Sequence, residues 1–294
     1  MDKKVKLSVV LAVRNEEANI GRCLSAVTDI ADEIIIMDEY STDKTVEIAQ
    51  GFGAKVFSEP HHENFHITKQ KAIDKAQGEW ILQLDADEQV SPELAKEIRE
   101  VITMSYQEIK NRKIKDHRKW KLFMRHQKVI EEKYGQLGKK TGEIVAFFVP
   151  RRNMFLGKAL VHAGVYPDAV IRLIGNGKAG LPAESVHEQI MWMNGEVDWL
   201  THDLLHYDSP TLKRYFDRAN RYTSFTASTW KEQKMKKNFG NFVYFIFIKP
   251  IITFLSLFIR HAGFKDGIRG FLWSIFSAWH FPLAYYKYWI GSYN

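Results

Sequence analysis

Two periodicities alternate through the first hundred residues. Continuous apolar runs, VKLSVVLAV (Val5 to Val13), EIIIMD (Glu33 to Asp38), AKVFS (Ala54 to Ser58) and EWILQLD (Glu79 to Asp85), read as buried strands. Between them EANIGRCLSAV, TVEIAQGF and Ile67 to Ala76 carry helical spacing. Strands this apolar, each followed by a helix, predict a mainly parallel sheet covered on both faces. Such sheets bind ligands at the carboxyl ends of their strands. Polar residues gather in those places: Asn15, Glu16 and Glu17 after the first strand, DEYSTD (Asp38 to Asp43) after the second, and DADE (Asp85 to Glu88) after the fourth.

The pattern changes further along. Residues 104–143 are strongly basic with little apolar periodicity, which predicts a solvated helix and loop. IVAFFVPRRNMFLGKAL and YPDAVIRLIG read as further strands, and Thr211 to Lys237 as a polar helix. Two apolar stretches close the chain, Asn241 to Ile259 and Phe271 to Ile290, around a basic, Gly-rich RHAGFKDGIRG. Each approaches the length that spans hydrocarbon. The Lys249-Pro250 break, His280, Pro282 and the abundance of Trp and Tyr suit helices lying in a membrane interface, with the basic loop facing anionic headgroups.

Composition narrows the classes. At 45% hydrophobic and 26% charged, 294 residues exclude a disordered chain, and a formal charge of +7 favours anionic partners. No base-stacking module accompanies the basic stretch, so nucleic acid is not an expected partner. The single Cys23 excludes an internal disulfide and argues against a cysteine-based zinc site; it is expected as a core thiol. The apolar run near the N-terminus is short and passes directly into Arg14, Asn15, Glu16 and Glu17, unlike an export signal.

Three acids at the end of a buried strand raise the question of what balances their charge. A divalent cation, Mg2+ or Mn2+, held by Asp87 would remove the repulsion and bridge a diphosphate. An acidic pair capping the helix that begins near Pro92 gives the same local pattern. With an acid-bearing loop after three strands, a nucleoside diphosphate fits the crevice, with Asp38 and Glu16 accepting hydrogen bonds from base or ribose. A dinucleotide oxidoreductase is set aside, because RNEEAN stands where a Gly-rich phosphate loop would be.

VVLAVRNEEANIGRCL, DEYSTDKTVEIA, GEWILQLDADEQVSPEL, RRNMFLGKAL and SVHEQI, in this order, resemble the family 2 glycosyltransferases, and within them the lipopolysaccharide core beta-1,4-glucosyltransferase type. The resemblance covers about Lys6 to Val101 and Phe147 to Tyr222, and GFKDGIRG more loosely. It implies an α/β GT-A (Rossmann-like) fold, a nucleotide-sugar donor, a divalent cation and inverting single displacement. On matching positions it implies Val13, Asn15, Glu16, Asp38, Lys69 and Asp85 around the nucleotide sugar, Asp87 on the metal, and Glu188 as catalytic base with Asp168 as the rival. Arg151, Arg152, Lys158, Arg172 and His187 would lie on the acceptor side. Gln70 stands where an Asn is common in the family, and Lys44 where Gly is usual.

The expected divisions are residues 1–103 as the nucleotide-sugar-binding half, 104–146 as a basic insertion, 147–237 as the acceptor-side half, and 238–294 as a membrane-associated helical region. The expected activity is transfer of glucose from UDP-glucose to a lipid-linked or lipopolysaccharide-core saccharide, at the cytoplasmic leaflet of the inner membrane. The alternatives are transfer to polyprenyl phosphate and a non-catalytic, membrane-bound nucleotide-binding module.

Overall fold

The computed structural model describes residues 5–181 and 192–291. The chain forms two compact units, Met1–Arg151 with Pro167–His206, and Arg152–Tyr166 with Tyr207–Asn294. Strand β6 passes from one unit into the other.

In the first unit β1 (Leu7–Val13), α1 (Ile20–Ser25), β2 (Glu33–Asp38), α2 (Thr45–Gly51), β3 (Lys55–Ser58), α3 (Phe65–Asp74) and β4 (Trp80–Leu84) follow the predicted alternation. The strands lie in the order β3-β2-β1-β4, all parallel. Register puts Val13 opposite Asp38, and Asp38 opposite Ser58, so those residues share the carboxyl edge. Period-two alternation explains the covering on both faces. Leu7, Val9, Leu11 and Val13 pack with Ile20, Cys23, Leu24 and Ile98, whereas Val10 packs with Ile35, Ala72, Ile73 and Phe123 on the other side. Cys23 is buried, as expected of a core thiol.

Beyond β4 the sheet becomes mixed, a departure from the mainly parallel expectation. After β5 (Glu88–Val90), α4 (Pro92–Val101), α5 (Tyr106–Asn111) and α6 (His117–Tyr134), strand β6 (Ile144–Phe155) returns. The two-residue β7 (Lys158–Ala159) and then β8 (Asp168–Gly175) follow, and β8 pairs antiparallel with both β4 and β6. Short β9 (Ala179–Gly180) and β10 (Trp192–Met193) pair with each other. Next, β11 (Glu196–Trp199) runs parallel to β6, and β12 (Leu204–Ser209) antiparallel to β5. The β4–β8, β6–β11 and β5–β12 pairings join segments far apart in sequence, which local periodicity does not encode.

The basic stretch is more than a solvated loop. In α6, Phe123 is fully buried and stacks on Trp199 at 4.3 Å, while Gln127 Oε1 accepts from Trp199 Nε1 at 3.0 Å. Its lysines and arginines occupy the outer face of a helix that helps cover the sheet.

In the second unit α7 (Leu212–Glu232) is an amphipathic helix N-capped by Thr211. Then come a helix over Phe239–Arg260 and another over Gly267–Ile290. The Lys249-Pro250 pair does not break the first of these: a π-helical turn over Tyr244–Ile248 precedes it and absorbs the hydrogen bond that the proline cannot donate. Pro282 likewise lies inside a continuous helix. Among the described residues one helix, Phe239–Arg260, is long and apolar enough to cross a membrane, with mean hydropathy 2.2.

Candidate active site

The site is built where β1, β2 and β4 end. Asn15 adopts a left-handed conformation at φ 55°, which an Asn tolerates better than most side chains. Its N–H donates to Ser41 Oγ at 2.9 Å and its Oδ1 accepts from Thr42 N at 2.8 Å. Glu16 N donates to Thr45 Oγ1 at 2.7 Å, and Glu17 accepts from Lys44 N at 3.1 Å. The loops after β1 and β2 are thereby stitched into one wall. Glu16 is half-buried and its carboxylate accepts from Asn19 Nδ2 at 2.8 Å.

Asp38 lies in that wall, 3% exposed. Its Oδ2 accepts from Ser41 N at 3.0 Å, while Oδ1 is buried with no hydrogen-bond partner among the described residues. An unsatisfied buried carboxylate oxygen costs free energy unless a ligand donates to it. The neighbouring Glu39 is also buried, and accepts from Thr68 Oγ1 and faces His61 Nδ1, each at 2.5 Å.

The acidic loop after β4 has its charge balanced by the chain's own cations. Arg172, on β8, is 7% exposed and bridges Asp85 Oδ2 at 2.6 Å and Glu88 Oε1 at 2.7 Å, with Nη1 on Gln83 Oε1. Lys69, from α3, meets Asp85 Oδ1 at 2.5 Å. Arg151, from β6, reaches Glu88 at 3.3 Å and Asp168 at 2.7 Å. The expectation that a dication alone makes the three acids tolerable is corrected by these pairs. Arg151 and Arg172, expected beside an acceptor, hold the acidic loop.

Glu88 is 0% exposed. It accepts from Asp85 N at 3.0 Å and donates its own N–H to Asp85 O at 2.9 Å, closing the loop on itself. Burial alone would raise the Asp85 carboxyl, but Arg172 and Lys69 outweigh it and hold Asp85 well below the usual carboxylate range. Asp85 is therefore an anion at any physiological pH. The same loop acts on Cys23, whose thiol is pushed well up by burial and by the charges of Glu88, Asp85 and Asp87.

Asp87 has a partner that sequence reasoning missed. Pairing of β12 with β5 sets His206 opposite Glu88, and its Nε2 lies 3.7 Å from Asp87 Oδ2. Nothing local in WLTHDLLHYDS marks this histidine, since its placement depends on a pairing across more than a hundred residues. A carboxylate and an imidazole suit a divalent ion that completes its shell with water and substrate phosphate oxygens. Among the described residues no group of three or more His, Cys, Asp or Glu side chains is arranged to hold a metal. Asp87 and His206 are thus a pair of candidate ligands, 3.7 Å apart.

Of the remaining expected residues, Val13 is buried and its carbonyl accepts from Glu39 N at 2.9 Å. Asp168 is ion-paired with Arg151. Lys158 is exposed on β7 in the other unit. Arg152, also in that unit, lies 6.0 Å from the Tyr166 ring centroid. His187 and Glu188 lie outside the described residues.

Comparison with known proteins adds an independent line. The family profile described as Glycosyl transferase family 2 matches residues 8–160. An uncharacterized glycosyltransferase of Rickettsia typhi is 27% identical over 282 residues, covering 93% of this chain and 83% of the relative. The lipopolysaccharide core biosynthesis glycosyltransferase LpsC of Rhizobium meliloti is 25% identical over 278 residues, covering 92% and 87%. Glucosyl-3-phosphoglycerate synthase from Mycobacterium tuberculosis, solved with Mn2+ and UDP-glucose, matches at 27% identity over 29% of this chain and 34% of that chain, with a TM-score of 0.27.

Proposed function

The chain belongs to glycosyl transferase family 2, and on that premise we propose that it moves glucose from UDP-glucose to a hydroxyl of a lipopolysaccharide-core or lipid-linked saccharide. The family profile supports the reaction class and a GT-A-like arrangement. Similarity to LpsC over 92% of this chain supports the core-saccharide acceptor. The single observation that carries the reading of a nucleotide at this edge is the buried Asp38 Oδ1, without a hydrogen-bond partner among the described residues, where the ion-paired Asp85 and the Asp87–His206 pair also stand.

In this reading Asp38 accepts an N–H or hydroxyl hydrogen from base or ribose, and Val13, Asn15 and Glu16 form the wall beside it. Asp85, fixed by Arg172 and Lys69, accepts from ribose or sugar hydroxyls without rearranging, which is the benefit of a preorganised site. Asp87 and His206 would hold Mg2+ or Mn2+. Such an ion supplies Lewis-acid stabilisation of the departing diphosphate.

Glu188 is the proposed base: it removes the acceptor hydroxyl proton on the face opposite the leaving diphosphate, so that one displacement inverts the anomeric centre. Asp168 is the less favoured base, because one of its oxygens is committed to Arg151 at 2.7 Å. Lys158 and His187 are assigned to the acceptor side. The enzyme is placed at the cytoplasmic leaflet of the inner membrane, with its apolar C-terminal helices as the attachment.

A panel of nucleotide sugars, assayed for ion-dependent hydrolysis and transfer, tests this reading. UDP-glucose is expected to be turned over, and its rejection alongside turnover of another donor would replace the donor assignment. Glu188→Gln is expected to abolish transfer to a hydroxyl; retention of most activity would favour a phosphate acceptor, which needs no base.

A further inference from the structure

The membrane-facing helices can be oriented from contacts within their own unit. Over Phe239–Arg260 none of the apolar span is buried, and Phe247, Ile251, Ile252, Leu255 and Ile259 are each exposed by more than half or by half. The helix over Gly267–Ile290 also leaves large apolar side chains outside, among them Trp279 at 64% and Tyr286 at 59%. Unpartnered apolar surface on this scale calls for a cover.

What limits how that cover can be applied is α7. It runs along the helix Gly267–Ile290 from end to end. Tyr215 packs against Trp273 and Phe276 at 5.9 and 5.4 Å between ring centroids, and Trp230 against Tyr285 and Tyr288 at 6.4 and 6.3 Å. In between, Thr226 Oγ1 meets His280 Nε2 at 3.0 Å, and the buried Lys287 Nζ donates to Asn220 O, Thr223 Oγ1 and Ser224 Oγ at 2.7 to 2.9 Å. Yet α7 exposes Lys213, Arg214, Asp217, Arg221, Lys231 and Glu232. If the apolar pair crossed a bilayer, α7 would be carried into the hydrocarbon, where each charge at depth costs several kcal/mol.

The ends of the pair point the same way. At the turn, Asp266 accepts from Val161 N at 3.1 Å and His162 N at 2.8 Å, and Ala163 N donates to His261 O at 2.9 Å, so the turn is fastened to the segment that follows β7. Arg260, Lys265 and Arg269 flank it. At the opposite end stand Lys231, Lys234, Lys236 and Lys237 against a single Glu232, with Lys237 Nζ on Trp289 O at 3.0 Å. Between them the first apolar helix carries one charge, Lys249. Basic clusters at both ends of an apolar face match anionic lipid headgroups.

Resting on the membrane reading above, we propose that the helices Phe239–Arg260 and Gly267–Ile290 lie flat in one leaflet of an anionic bilayer, with α7 on their water side and both basic ends at the same headgroup surface. The occupant of the exposed face is lipid, and the insertion is one-sided.

The test uses the full chain with preformed vesicles of mixed phosphatidylcholine and phosphatidylglycerol. The one native thiol, Cys23, is buried and held protonated, so introduced cysteines report alone. Lys236→Cys and Lys265→Cys mark the two ends at exposed positions. With the protein bound, an impermeant maleimide added outside is expected to label both at similar rates. Protection of either one means that an end has crossed, and overturns the in-plane arrangement while leaving membrane binding intact. Absence of flotation with the vesicles overturns the membrane reading itself. A stable oligomer that persists on addition of vesicles would show a second copy as the cover and overturn both. Ile251→Asp and Leu255→Asp, at 60% and 50% exposure, are expected to weaken vesicle binding roughly tenfold or more each, without loss of the fold.

Discussion

At the residue scale the site depends on one buried arginine. Arg172 satisfies Gln83, Asp85 and Glu88 at once, and Glu88 has no access to water. Removing one partner of a buried ion pair costs about 3 to 5 kcal/mol, because the other charge is stranded. Arg172→Met is therefore expected to lower the unfolding free energy by about that amount in urea titrations; a change below about 1 kcal/mol would mean that Arg151 compensates alone. The pairs also impose a pH dependence. Asp85 ionises more readily in the folded chain than in the unfolded one, so its contribution to stability is complete above about pH 4 and fades as the pH falls through the lower folded value. Asp85→Asn should flatten the acid side of the stability profile, read by thermal unfolding across pH. Asp38→Asn tests the unsatisfied oxygen: UDP affinity is expected to fall about tenfold with melting unchanged.

At the element scale β1 sets the positions of everything else. It pairs with β2 and β4, and its close approach to the chain before β4 requires glycine at 78. A Cβ there would stand 2.6 Å from Ser8 Oγ and 2.7 Å from Ser8 N, whereas Gly78 N now donates to Ser8 Oγ at 2.8 Å. Gly78→Ala is expected to destabilise by about 1 to 3 kcal/mol in chemical denaturation, as overpacking does. The parallel half of the sheet was legible because each of its strands is a continuous apolar run with a helix before the next, and Asp38 and Asp85 could be placed at its edge from that alone. The antiparallel half was not. Strands β8 and β12 meet β4 and β5 across long sequence separations, and only those pairings bring Arg172 to Asp85 and His206 to Asp87. The acids were therefore visible as a cluster, while the cations that balance them and the histidine beside Asp87 were not. In the apolar C-terminal region, Pro250 suggested a break, but the π-helical turn before it lets the helix continue.

At the scale of the whole molecule, the net charge of +7 would, on the proposed reading, serve two anions of different size, a nucleoside diphosphate at the sheet edge and a lipid surface under the C-terminal helices. The residues proposed for the two roles fall in different units, so the roles should separate on mutation. Asp87→Asn is expected to lower turnover by two orders of magnitude or about that, as loss of a charge-stabilising group does, while vesicle binding stays at the wild-type level. The central claim is that the edge formed by Asp38, Asp85, Asp87 and His206 takes a nucleoside diphosphate together with a divalent ion. Calorimetric titration of UDP into the full chain, with Mn2+ and then with EDTA, tests it most directly when repeated on Asp87→Asn and His206→Ala. UDP binding strengthened by Mn2+ in the native chain, with that strengthening lost in both variants, is the predicted result; absence of UDP binding, or the same Mn2+ effect in both variants, would contradict it.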